Sequence, residues 1–182
     1  MRESDLEEAR AHWQHRGDGR PEWAIEPGPG QESVWDYPRP PAIAADPRLV
    51  RILHEGDVIA ETRRAVRILE TASPPTFYIP PDDVRMEWLE RTGGASLCEW
   101  KGSARYWSIN HHGVVIPKVA WSYDRPFMRY VAIKGALSFY PSKLECYVDE
   151  HRVEPQAGDF YGGWLTPDVV GPFKGDPGTG DW

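Results

Sequence analysis

The chain is short of cysteine and basic excess, and it has no long apolar run. Each shortage removes a class of protein. Two cysteines, Cys98 and Cys146, cannot build a four-cysteine zinc site. They read as thiols in a reducing compartment rather than as a disulfide framework. No run of 18 apolar residues occurs, which excludes a transmembrane helix, so no membrane partner is expected. The start Met1-Arg2-Glu3-Ser4-Asp5-Leu6-Glu7-Glu8 has no apolar stretch of the secretory kind, and the expected location is the cytoplasm. Basic excess is missing because 21 Lys+Arg stand against 28 Asp+Glu. Acids gather at the ends: residues 1–32 hold 8 acids and 4 bases, residues 154–182 hold 5 and 1, and residues 46–153 hold 14 and 15. A nearly neutral middle lacks the positive field that a phosphate backbone requires, so nucleic acid is not an expected partner. There is no Gly-rich phosphate loop ahead of a helix and no Ser-His-Asp spacing.

What the chain does have is 17 Gly, 18 Pro and 9 Trp in 182 residues. The first two argue against long helices, and an aromatic fraction of 12% favours strands. The length suits one compact domain with appendages. Residues 1–47 read as a charged helix over 4–15, with Ser4 and Glu7 in capping-box spacing, followed by a Pro/Gly-rich extended arm. The core is expected over 48–153. Leu49–His54 and Asp57–Thr62 flank Glu55-Gly56 as a hairpin. Ala65–Thr71 and Thr76–Ile79 add two strands, the latter confined to an edge or a short length by Pro74-Pro75 and Pro80-Pro81. Pro81–Leu89 predicts one or two helical turns, ended by Gly93-Gly94. Ser103–Asn110 and Val114–Tyr123 form a second hairpin around His112-Gly113. Segments 136–140 and 144–148 read as a third strand pair. The Gly- and Pro-rich residues 154–182, with interspersed aromatics, read as a tail that wraps the domain or binds a partner.

Several ordered segments carry a family likeness: Leu69-Glu70-Thr71, Tyr78-Ile79-Pro80-Pro81-Asp82-Asp83-Val84, Cys98-Glu99-Trp100-Lys101-Gly102, Tyr106-Trp107-Ser108, Ala120-Trp121-Ser122-Tyr123 and Ala136-Leu137-Ser138-Phe139-Tyr140. Over about 49–153 the chain resembles the family called domain of unknown function 427. The resemblance implies a mainly β fold, a small antiparallel β-tent (Mss4-like) domain with one or two short helices and irregular terminal extensions. It also brings a nucleotidyltransferase label, under which Mg²⁺ would be needed; otherwise no cofactor is expected. Glu99 stands where the family commonly has proline after the cysteine.

The candidate chemistry lies between Tyr78 and Tyr123. Cys98 and Lys101 are three residues apart, so a turn brings the ammonium toward the sulfur and is expected to lower the thiol pKa, as nucleophilic catalysis requires. Lys101 is also the candidate anion clamp. Tyr78, Tyr106, Ser122 and Tyr123 supply hydroxyls and Trp121 a flat wall, the lining of an apolar pocket with a few polar groups. The plainer reading makes the aromatics a core and pairs Lys101 with Asp83 or Glu70. Asp82-Asp83 suit a helix start, and Arg63, Arg64 and Arg67 a solvated face or a hold on a small anion. His111-His112 are expected to be exposed at a hairpin end, and no metal site is expected. Three functions follow: binding of a small polar or anionic ligand with Lys101; an enzyme, either nucleotidyltransferase-like or using the Cys98 thiol; or a protein-interaction module that uses the aromatic arm and tail to bind a partner or a second copy of the chain.

Overall fold

The computed structural model describes residues 3–158 and 160–182; Met1, Arg2 and Asp159 lie outside the described residues. The chain is mainly β, with strands β1 (Glu32–Ser33), β2 (Ala42–Asp46), β3 (Val50–His54), β4 (Asp57–Thr62), β5 (Ala65–Glu70), β6 (Ser73–Tyr78), β7 (Leu89–Cys98), β8 (Gly102–His111), β9 (Val114–Ser122), β10 (Leu137–Phe139), β11 (Glu145–Val148), β12 (His151–Arg152), β13 (Glu154–Pro155), β14 (Trp164–Leu165) and β15 (Val169–Val170). They form antiparallel sheets in the orders β10-β9-β8-β7, β12-β11-β3-β4 and β2-β5-β6, with a small β13-β14 pair. β1 and β15 pair in parallel.

Both expected hairpins form, and their turns show why. Glu55 and Gly56 have φ of 52° and 86°, and His112 and Gly113 have φ of 51° and 77°. Two successive positive φ values are the requirement of the two-residue turn whose twist matches the strands. The prolines confine their strand to a sheet edge, as expected, though the strand starts earlier. Pro74 and Pro75 lie inside β6 rather than before it, tolerated because β6 is the edge of its three-stranded sheet. The helical turns appear as two short 3₁₀ turns, Pro81–Asp83 and Met86–Trp88. Gly93-Gly94 terminates nothing: it sits within the ten-residue β7, where the register against β8 shifts between Thr92 and Ala95. That bulge accommodates the extra residues without ending the strand. β10 and β11 are not partners either. β10 pairs with β9 and β11 with β3, because each has a longer neighbour on which to bury its apolar side.

The helix α1 spans Glu3–Ala11, so Ser4 lies within it and not at its cap, and Trp13 lies beyond its end. The arm and the tail are integrated rather than loose. β2 pairs with β5 over five residues. Trp164 is fully buried, stacks on Phe77 with centroids 4.7 Å apart, and donates from Nε1 to the Phe139 carbonyl at 3.0 Å. Trp35, also fully buried, donates to the Pro172 carbonyl at 3.0 Å and meets Trp182 edge-on at 5.3 Å. The main core joins Val50 and Ile52 of β3, Ile59 of β4, Cys146 and Val148 of β11, Ile109 of β8, and Leu137 and Phe139 of β10. Each such side chain contributes about 2 kcal/mol of gross hydrophobic stabilisation. No helix among the described residues is long and apolar enough to cross a membrane.

Candidate functional site

Side chains alternate along a strand, and five strands use that alternation to wall one concavity. β5 contributes Ile68 and Glu70, β6 Thr76 and Tyr78, and β7 Ser96 and Cys98. β8 contributes Ala104 and Tyr106, and β9, with the residue after it, Trp121 and Tyr123. The β7–β8 turn adds Trp100 and Lys101, and the N-terminal segment adds Trp13. The tail supplies Gln156, Tyr161, Gly162 and Lys174. The space between them is about 170 Å³ and opens to solvent on one side. Gly162 is needed there: a Cβ at this position would stand 2.3 Å from the Trp121 ring, so only glycine lets the tail close against that wall.

Of the residues singled out from the sequence, Tyr78, Cys98, Lys101, Tyr106, Trp121 and Tyr123 come together in this cavity. Ser122 does not. It lies one residue out of phase with Trp121, on the other face of the sheet, where its Oγ accepts from Trp107 Nε1 at 2.9 Å. Trp121 Nε1 donates to the Tyr78 hydroxyl at 3.2 Å, and the Tyr106 hydroxyl donates to Ser96 Oγ at 2.7 Å. Asp82-Asp83 take no part: Asp83 accepts from Thr62 at 2.5 Å and pairs with Arg64 at 2.7 Å. Arg67 is likewise engaged, by Glu32 and by Asp46 at 3.1 Å, and Arg63 is exposed.

The charges are unevenly met. Glu70 divides its carboxylate, one oxygen 3.2 Å from Arg39 Nε and the other 3.8 Å from Lys101 Nζ. Arg39 is held by the His15 and Thr71 carbonyls at 2.8 and 2.9 Å and lies over the Trp13 ring at 4.5 Å. Lys174, 2% exposed, places Nζ 3.4 Å from the centroid of Trp13 and 5.1 Å from that of Tyr161. Glu99 accepts from Trp13 Nε1 at 2.6 Å. Of the two carboxylates expected as partners of Lys101, Glu70 is the one that faces it, while Asp83 is taken up by Thr62 and Arg64. Trp13 and Lys174 escaped the sequence reading, and nothing local points to either.

Burial sets the protonation. It pushes the Cys98 thiol up, and the nearby Lys101 ammonium does not reverse this, so the expected lowering is overturned and the reactive thiolate is disfavoured at neutral pH. Burial also raises Tyr78 and Tyr123. Burial opposes the charge of Lys101, but the Glu70 carboxylate 3.8 Å away favours it, and the lysine stays protonated at neutral pH. Lys174 goes the other way, lowered by burial to about 8. Near pH 7 the cavity therefore presents two ammonium groups, neutral phenols and a neutral thiol.

Both cysteines are free, Cys98 in the cavity wall and Cys146 in the core. No curated protein matches the chain. A family model does match residues 42–150, well over half of the chain and all the strands from β2 to β11 that wall the cavity and enclose the core. The chain thus belongs to the family described as a domain of unknown function (DUF427).

Proposed function

We propose that this domain binds a small planar organic anion in the cavity between its sheets. The observation that carries the reading is that two buried lysines, Lys101 and Lys174, line one aromatic-walled space whose two carboxylates are already engaged, Glu70 by Arg39 and Glu99 by Trp13. Lys101 supplies charge, Lys174 a second ammonium beside Trp13, Trp121 a stacking wall, and the hydroxyls of Tyr78, Tyr106 and Tyr123 orient the ligand. A space of about 170 Å³ compares with the cavity of roughly 150 Å³ that accepts benzene. It suits one ring carrying a carboxylate or phosphate, while a nucleoside triphosphate would leave most of itself outside. The raised Cys98 thiol supports binding over thiol catalysis. Two free cysteines support a cytoplasmic setting.

The test is a thermal-shift and calorimetric titration with benzoate, phenyl phosphate and acetate. Benzoate and phenyl phosphate are expected to raise Tm in proportion to occupancy, acetate to do less, and Lys101→Met to remove the effect. No response to any of the three, or a response unchanged in Lys101→Met, overturns the proposal.

A further inference from the structure

The tips of the two hairpins built on positive-φ turns meet at a place remote from the cavity lining. His54 ends β3, Asp57 begins β4, His111 ends β8 and His112 opens the following turn. His112 Nε2 lies 2.7 Å from Asp57 Oδ2, and His111 Nε2 lies 3.3 Å from the same oxygen. The expectation that both histidines are exposed fails for one of them. His111 is 3% exposed, while the His112 side chain is 61% exposed. His111 is wedged beside Trp88 and His112, with ring centroids 4.3 and 3.9 Å away. Neither of its ring nitrogens has a hydrogen-bond partner, since the 3.3 Å approach to Asp57 lacks the alignment of a bond. The buried Nε2 of His54 is unpartnered as well.

An imidazole buried with both nitrogens unmet is costly, and here it faces a carboxylate and a second imidazole. We infer that Asp57, His111 and His112 form a binding site for a divalent transition cation of the zinc class, with His54 within reach as a further ligand. The ligand atoms of Asp57, His111 and His112 lie within 4.8 Å of one another, as do those of His54, Glu55 and His111. Zinc bonds to nitrogen and oxygen of about 2.0–2.2 Å in a tetrahedron require ligand atoms roughly 3.4 Å apart. The His111–Asp57 separation of 3.3 Å already meets this. The 2.7 Å His112–Asp57 contact opens by less than about 1 Å when the cation replaces the proton, and both side chains are exposed enough to move. Imidazole with carboxylate selects zinc, nickel, copper or iron over magnesium or calcium. A cation there ties the β3–β4 tip to the β8–β9 tip, and so two different sheets to each other.

The test is calorimetric titration of chelator-treated full-length protein with Zn²⁺, and a parallel titration with Co²⁺ read by absorbance. Asp57→Asn and His112→Ala alter exposed side chains and keep the fold, which circular dichroism checks; His111→Gln is the third variant. One Zn²⁺ per chain is expected, with Kd raised at least about tenfold in each variant and a Co²⁺ spectrum of low-symmetry nitrogen and oxygen ligation. No binding, or binding undiminished in Asp57→Asn and His112→Ala, overturns the inference. A thiolate-to-cobalt charge-transfer band also overturns it, because the metal would then belong to Cys98 or Cys146.

Discussion

On one face of the β7–β10 sheet, Ile109, Ala120, Leu137 and Phe139 pack against the β3–β4–β11 sheet and Trp164. On the other face, Ala104, Tyr106, Trp121 and Tyr123 surround a cavity with lysines in its wall. The same strands build both surfaces, and alternation decides which side chain goes where. The closed face is scaffold: its aliphatic and aromatic side chains are buried against the opposing sheet. The open face keeps space, aromatic edges and charge that a purely structural sheet would have filled. The difference teaches that the aromatic richness of this sequence is divided between two jobs, with Trp164 and Phe77 closing the core and Trp121 and Tyr123 shaping the cavity.

Truncation on the two faces should therefore differ most. Trp164→Ala removes a ring stacked on Phe77 and the hydrogen bond to the Phe139 carbonyl, and is expected to cost about 3–5 kcal/mol in denaturant unfolding. Trp121→Ala enlarges a space that already exists and should cost less than half as much. Equal losses would erase the distinction between the faces.

The next effect is electrostatic. The Lys174 pKa is about 8 in the folded protein and near 10.4 when the chain is unfolded. Between these values the unfolded chain holds the proton and the folded one does not, so this lysine's contribution to stability rises with pH across that window. Below about pH 8 it carries its full penalty, at most on the order of 3 kcal/mol. Subtracting the stability curve of Lys174→Met from that of wild type isolates it from the other groups that titrate nearby. A flat difference between pH 7 and 10.5 would show that the lysine is solvated rather than held against Trp13.

Smaller effects sharpen the boundary between tail and cavity. Gly162→Ala forces the tail off the Trp121 ring and is expected to cost about 1–3 kcal/mol. It should also weaken benzoate binding, measured by the same titration. Smallest is Cys98→Ala, expected within about 1 kcal/mol, since it removes one small apolar atom from a wall that already borders open space. In wild type Cys98 should react slowly with a thiol reagent at pH 7, because burial keeps it protonated; a rate matching that of an exposed cysteine would restore the nucleophile reading.

Much of this molecule was legible locally. Glu55-Gly56 and His112-Gly113 announce their turns because positive φ is tolerated by few residues, and the flanking strands follow from alternation. The same rule separates Trp121 from Ser122, whose shared hydroxyl-and-aromatic neighbourhood in sequence hides that they sit on opposite faces. β7 was less legible because Gly93-Gly94 can end a segment or bulge within it, and only a partner strand decides. The segments 136–140 and 144–148 look like a hairpin, yet each finds a better-matched neighbour in another sheet.

The sequence by itself determined the mainly β character, the two tight turns, and which of two adjacent strand residues shares a face with which, since these depend on dihedral preferences and a period of two. Only the tertiary structure decided which strands lie side by side. That choice depends on apolar area buried between segments far apart in the chain, and it set Lys174 and Trp13 beside Lys101 and brought His111 against Asp57.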